Sequence, residues 1–163
     1  MEMWAPIKEF FGYSVSDVGR VRNDDTDRML ALCVNQTGVV HVGLTRGKKQ
    51  YKRSVALLVA RAFLPFPKES RFDTPIHLDG DQRNNQVENL MWRPRWYAIR
   101  YQHQFTMAPQ GFSVPIVETH TGEEFPTSWD AAIKYGLIDR DILLAIQNKT
   151  FVWPTYQFFK TIT

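Results

Sequence analysis

The chain has 163 residues, 44% hydrophobic and 13% aromatic, with 23% charged and a formal net charge of +3. That composition supports one or two packed cores and excludes a chain disordered by composition. A single cysteine, Cys33, excludes an internal disulfide and a cysteine-based zinc cage. It is expected to be a buried hydrophobe in a reducing cytosol. No apolar run approaches the roughly 18 residues of a membrane span. The N-terminus, MEMWAPIKEFF, lacks a basic-then-apolar signal pattern, so a cytoplasmic location is expected.

Residues 4–12 open with a short aromatic segment. Residues 13–16 alternate as a strand, 17–19 turn, and 20–22 start a second strand. Arg20 and Arg22 share one face there, placed either to reach phosphates or to be solvated. Residues 23–28 are polar and acidic, hence a loop. Residues 29–34, 39–44 and 50–53 read as strands, with turns at 36–38 and 46–49, an antiparallel meander. The second turn and its strand carry Arg46, Lys48, Lys49, Lys52 and Arg53, the densest basic cluster in the chain. It is a solvated hairpin tip or a ribbon contacting phosphates, since a two-stranded ribbon fits the major groove.

Residues 54–63, SVALLVARAF, read as a helix capped by Ser54 and ended by Leu64-Pro65-Phe66-Pro67. Apolar residues at 55, 58, 59, 62 and 63 form its buried face. Residues 74–92, TPIHLDGDQRNNQVENLMW, then read as strand 74–78, a polar loop and strand 89–92, with His77 near the end of the first strand. The loop holds Asp79, Gly80, Asp81, Asn84 and Asn85, which build turns by bonding their own backbone. A helix follows from about Arg95, where Arg93, Arg95, Arg100 and His103 interleave with Trp96, Tyr97, Tyr101 and Phe105. Those cations either line a nucleic acid backbone or stand in water while the rings pack.

Residues 106–113 hold Pro109 and Gly111 without periodicity and read as a linker. Beyond it, 114–119 and 123–125 read as strands. Thr127 or Ser128 caps a helix over 129–135, ended by Gly136. Asp139 caps a second helix over 140–148, and 153–160 returns as a strand. Two short helices across a glycine-containing turn are helix-turn-helix in outline. Arg140, Gln147, Asn148 and Lys149 are the polar residues of the second helix suited to base edges and phosphates.

His77, the DGD-x-x-NN loop and Asn89-Leu90-x-Trp92 resemble the HNH motif of phage and intron-encoded homing endonucleases. The segment W-x-x-I…GY-x-VS-x-x-G-x-VR, from Trp4 to Arg22, is similar to the module that often precedes HNH domains. The C-terminal pattern around Ile116, Gly122, Ser128, Gly136, Ile142 and Tyr156 resembles a DNA-reading module of homing enzymes. The resemblance implies an α+β fold: short antiparallel strands with a ββα unit around one divalent metal, and a small C-terminal domain of strands and a helix-turn-helix. The implied organisation is 1–53, 54–105, a linker 106–113, and 114–163. His77 matches the general base and Asn89 the residue bracing the loop.

Two positions depart from that pattern. The residue before the base, commonly an Asp ligand, is Ile76. The ligand position on the helix falls at Ala98. Neither side chain has a lone pair for a hard cation. Asp79, Asp81 and His103 are the substitutes nearby. The implied partner is double-stranded DNA, with no membrane, a monomeric state, and the host cytoplasm as the setting of a phage protein. An active enzyme would use Mg²⁺ or Mn²⁺. The alternatives are a catalytically inactive DNA-binding regulator and a protein-binding adaptor on the same scaffold.

Overall fold

Alternating apolar positions in the first half of the chain give short strands, and the structure, a computed structural model, describes residues 1–109 and 111–163. The chain divides into two compact units, Met1–Arg95 and Trp96–Thr163. In the first, β1 (Trp4–Pro6), β2 (Tyr13–Ser16), β3 (Val21–Asn23) and β4 (Arg28–Met29) form an antiparallel sheet in that order. β5 (Leu32–Val34), β6 (Val40–Arg46) and β7 (Lys49–Ser54) form a second, and β8 (Thr74–His77) pairs with β9 (Leu90–Arg93). Between sheets lies α1 (Val55–Phe63), where Ser54 caps the first turn by accepting from the Leu57 amide at 3.4 Å. Phe10, Val15, Val21, Val42, Leu44, Val55, Val59 and Leu90 make the core.

Several expectations shift here. β1 forms where only an aromatic segment was read, and Pro6 is tolerated because β1 is an edge strand. The strand expected over 29–34 is two short ones, β4 and β5. Cys33 is exposed rather than buried, because every residue of the edge strand β5 is exposed. On α1 the buried residues are Val55, Ala56, Leu58, Val59 and Ala60, so the packed face adds two alanines to the expected one, while Ala62 and Phe63 pack against the core half-buried.

The second unit packs a three-stranded antiparallel sheet, β10 (Ile116–Glu118) between β11 (Glu124–Phe125) and β12 (Phe159–Thr161), with α3 (Ser128–Tyr135) and α4 (Asp139–Asn148). Thr127 caps α3, and Gly136 ends it in the left-handed region at φ 63°. Asp139 does not cap α4. It is the first helical residue, and its buried carboxylate accepts from Ser128 Oγ at 2.5 Å and from the Gly111 amide at 2.7 Å. Of the strand expected over 153–160, only the β12 end forms.

The helix α2 (Arg95–Gln104) follows β9, and Tyr97 and Tyr101 on it are fully buried. The Tyr97 hydroxyl accepts from the Ile138 amide at 3.1 Å, and Tyr101 packs edge-on against Phe105. These contacts place α2 from Trp96 onward in the second unit, so the division precedes the linker read at 106–113. Among the described residues no helix is long and apolar enough to cross a membrane.

Candidate functional site

The polar loop after β8 is built around one carboxylate. Asp79 Oδ1 accepts from the Asp81 amide at 2.8 Å and Asn89 Nδ2 at 2.9 Å, and its Oδ2 accepts from Asn84 Nδ2 at 2.8 Å. Asn89 closes the loop from the other side. Its Oδ1 accepts from the Asp79 amide at 3.0 Å, its Nδ2 also donates to the Asn84 carbonyl at 2.9 Å, and its own carbonyl accepts from Leu78. Gly80 turns the chain at φ 77°. Burial pushes the Asp79 carboxyl up, but the bonds from Asn84, the Asp81 amide and Asn89 outweigh it and hold the group below the usual carboxylate range.

His77 sits at the root of this loop, paired with Leu90 across the β8–β9 ladder, and is 8% exposed. Its Nε2 lies 2.8 Å from Asn85 Oδ1, which accepts the ring proton. The neutral ring therefore keeps its lone pair on Nδ1. Burial lowers the His77 pKa from its ordinary value; the Asn85 bond and the Asp79 and Asp81 carboxylates offset only part of this. Asn85 is itself buried, and it is seated by the turn after β2. A Cβ on Gly19, whose φ is 85°, would lie 2.9 Å from Asn85 Cβ. Beside it the Val87 amide donates to the Asp17 carbonyl at 2.8 Å. Asn85 stands inside the motif, yet spacing alone gave no signal that it, rather than Asn89, would hold the histidine.

Hard-cation donors are sparse around His77. Ile76 precedes it as a buried hydrocarbon, 3% exposed. Asp79 spends both oxygens inside the loop, and Asp81 Oδ1 accepts from the Arg83 amide. Ala98 and His103 lie on α2, and the His103 carbonyl accepts from Thr106 Oγ1. Among the described residues no three of His, Cys, Asp and Glu are grouped to hold a metal ion.

The cations divide into two kinds. Arg20 pairs with Glu2, Arg22 with Asp24 and Asp27, and both lie over the Trp4 ring. Arg100 pairs with Asp141 at 3.1 Å. Arg93 is 6% exposed and donates to the Trp92 carbonyl, which withdraws it from the solvent-facing set. The hairpin β6–β7 is different: Arg46, Lys48, Lys49, Lys52 and Arg53 have no carboxylate partner among the described residues. Arg46, Lys49 and Arg53 gather over Tyr51 at 5.0, 5.5 and 5.3 Å from its centroid. Arg95 is exposed, and on α4 Arg140, Gln147, Asn148 and the following Lys149 all face solvent.

Comparison with known proteins finds similarity over parts of the chain. A family described as the NUMOD4 motif matches residues 2–45. Two proteins of Acanthamoeba polyphaga mimivirus, Uncharacterized HNH endonuclease L245 and Uncharacterized HNH endonuclease L247, are each 32% identical over 89 and 94 residues. These matches cover 55% and 56% of this chain. The solved structure of the HNH homing endonuclease I-HmuI, described for DNA binding and cleavage, superposes with a TM-score of 0.57 at 22% identity, covering 98% of both chains. In sequence the chain is similar to HNH endonucleases over about half its length, and it shares the fold of an HNH homing endonuclease. It spans about a quarter of the length of the two viral relatives, 26% and 23%. The histidine His77 and the loop braced by Asn89 both lie in its first unit. Ile76, the residue before His77, offers only hydrocarbon and no lone pair for a hard cation.

Proposed function

We propose that this HNH relative binds duplex DNA and cleaves it very slowly or not at all. The observation that carries the binding is the hairpin β6–β7, whose five cations keep their charge free of internal carboxylates. Paired surface cations have little charge left for a phosphate, whereas unpaired ones release counterions when they meet one. The α3–α4 pair serves as a helix-turn-helix reader through Arg140, Gln147, Asn148 and Lys149. Cleavage is weak because His77 retains a basic Nδ1, but among the described residues no three of His, Cys, Asp and Glu are grouped to hold a cation that would neutralise charge developing on a phosphate. That electrostatic contribution is usually the largest in such chemistry.

Replacing Lys48, Lys49 and Lys52 by Gln tests the binding. Each lost phosphate contact flattens the dependence of log affinity on log salt by about one unit. An unchanged slope would mean the hairpin faces solvent. Plasmid nicking in Mg²⁺ or Mn²⁺ tests the second half: the expected result is little product, with Ile76→Asp combined with Ala98→Asn raising metal affinity. The retained Nδ1 lone pair of His77 favours the alternative, a working metal-dependent endonuclease. Brisk nicking that His77→Ala abolishes would establish it.

A further inference from the structure

The sheet β5–β6–β7 has two unlike faces. Register puts Val42, Leu44 and Arg46 with Arg53, Tyr51 and Lys49 on one of them, packed toward the core. The other carries Cys33 opposite His41, Lys52 opposite Gly43, and Gln50 opposite Thr45. Cys33, Thr45, Gln50 and Lys52 are exposed, and the half-buried Leu30 is the large apolar side chain lining the hollow beside Cys33, Gln50 and Lys52. Such a face is open enough for a nucleic acid to approach the backbone.

Gln50 is held in a particular way on that face. Gly43 leaves a gap into which the Gln50 side chain folds. A Cβ on Gly43 would lie 2.6 Å from Gln50 Nε2, 3.2 Å from its Cδ and 3.6 Å from its Cγ. The amide thus lies along the ribbon surface. It makes no hydrogen bond among the described residues, so its donor and its acceptor are both free. A glutamine amide offers the fork that matches the N6 donor and N7 acceptor of adenine in the major groove, and a β-ribbon fits that groove. Lys52 beside it, and Lys48 at the hairpin tip, supply charge without sequence information.

We infer that Gln50, laid down over Gly43 on the open face of the β5–β6–β7 sheet, reads an adenine edge in the major groove of the bound duplex. This rests on the DNA-binding reading above and names a specificity residue within it. Gly43→Ala is the informative variant. The added methyl meets the far end of a flexible side chain rather than backbone, so the sheet keeps its fold while the amide is displaced.

The experiment selects a randomised duplex library on the full chain, on Gln50→Ala and on Gly43→Ala, with circular dichroism confirming that all three are folded. The unmodified chain should enrich an adenine at one position, where both variants lose about tenfold or more in preference. Replacing that adenine by 7-deazaadenine should weaken the unmodified chain and leave Gln50→Ala unaffected. Salt slopes should match throughout, because no charge is removed. Binding that enriches no adenine position, or the same position for all three proteins, overturns the assignment while leaving DNA binding standing. Absence of binding by the unmodified chain overturns both.

Discussion

His77 Nε2 and Asn85 Oδ1 form one buried hydrogen-bonded pair at the root of the loop. His77 is legible because a histidine at a strand end before a DGD-x-x-NN loop is an unusual pattern. Its partner is not, because three asparagines crowd the motif and only the fold decides which amide meets the ring. The pairing has a measurable pH signature. With the His77 pKa lowered by burial, the folded chain binds fewer protons at this site than the unfolded chain, whose histidine titrates near 6.5. The stability tied to the neutral ring is therefore complete above about pH 6.5 and is lost as pH falls toward the lowered folded value. Urea midpoints measured from about pH 7 to about pH 5 should decline more for the natural chain than for His77→Gln; parallel profiles would contradict the burial argument. The Asp79 effect has the same sign at lower pH, lost as its carboxyl protonates. Asn85→Ala should cost about 1–3 kcal/mol in the same titration, since it leaves a buried ring N–H without an acceptor.

Among the elements, those with strong local signals were read closely. Ser54 with the proline pair fixes α1, and Thr127 with Gly136 fixes α3, because caps act within one turn. Asp139 shows the converse: α4 has Ile138 at its N-cap. An aspartate ahead of an apolar helical pattern has the signature of a cap, but here tertiary contacts with Ser128 and Gly111 take its side chain. Asp139→Ala should accordingly lower the stability of the second unit by about 1–3 kcal/mol, by leaving the Gly111 amide without its acceptor and the Ser128 hydroxyl with only the Phe112 carbonyl at 3.3 Å. A loss of only a few tenths in thermal or urea unfolding would mean that neither bond matters. On the solvent side of the same helix, Arg140→Ala or Gln147→Ala should cost about 1–3 kcal/mol at individual base positions. Competition binding with single-base duplex variants reads this directly.

At the scale of the whole molecule, the α+β class and the strand–loop–strand motif were legible, whereas the dividing point was not. Residues 106–113 look like a linker because they lack periodicity, yet sequence composition cannot say that Tyr97 packs against Ile138 and Trp153, which follow it. The distinction is testable by truncation. A chain ending at Pro109 leaves Tyr97, fully buried in the intact protein, without the Ile138 amide and the Trp153 ring. One ending at Arg95 removes it together with those partners. The shorter piece should be the more soluble and the more resistant to protease, although it has fewer residues. If the Pro109 form is the better behaved, α2 owes its packing to the first unit instead.

The close approach of Gly19 to Asn85 bears on how such chains can be reassembled by recombination. Residues 2–45, the stretch matching the NUMOD4 motif, contain Gly19, while Asn85 lies in the strand–loop–strand segment. A graft that exchanges the leading segment for another must bring a residue at that turn that tolerates φ near 85° and leaves room for the asparagine. Any side chain there would push on Asn85 and, through it, on the histidine ring. Segments that look like interchangeable beads along the chain are thus keyed to each other at one atom-sized gap, and chimeras should succeed or fail on that glycine before any catalytic residue is compared.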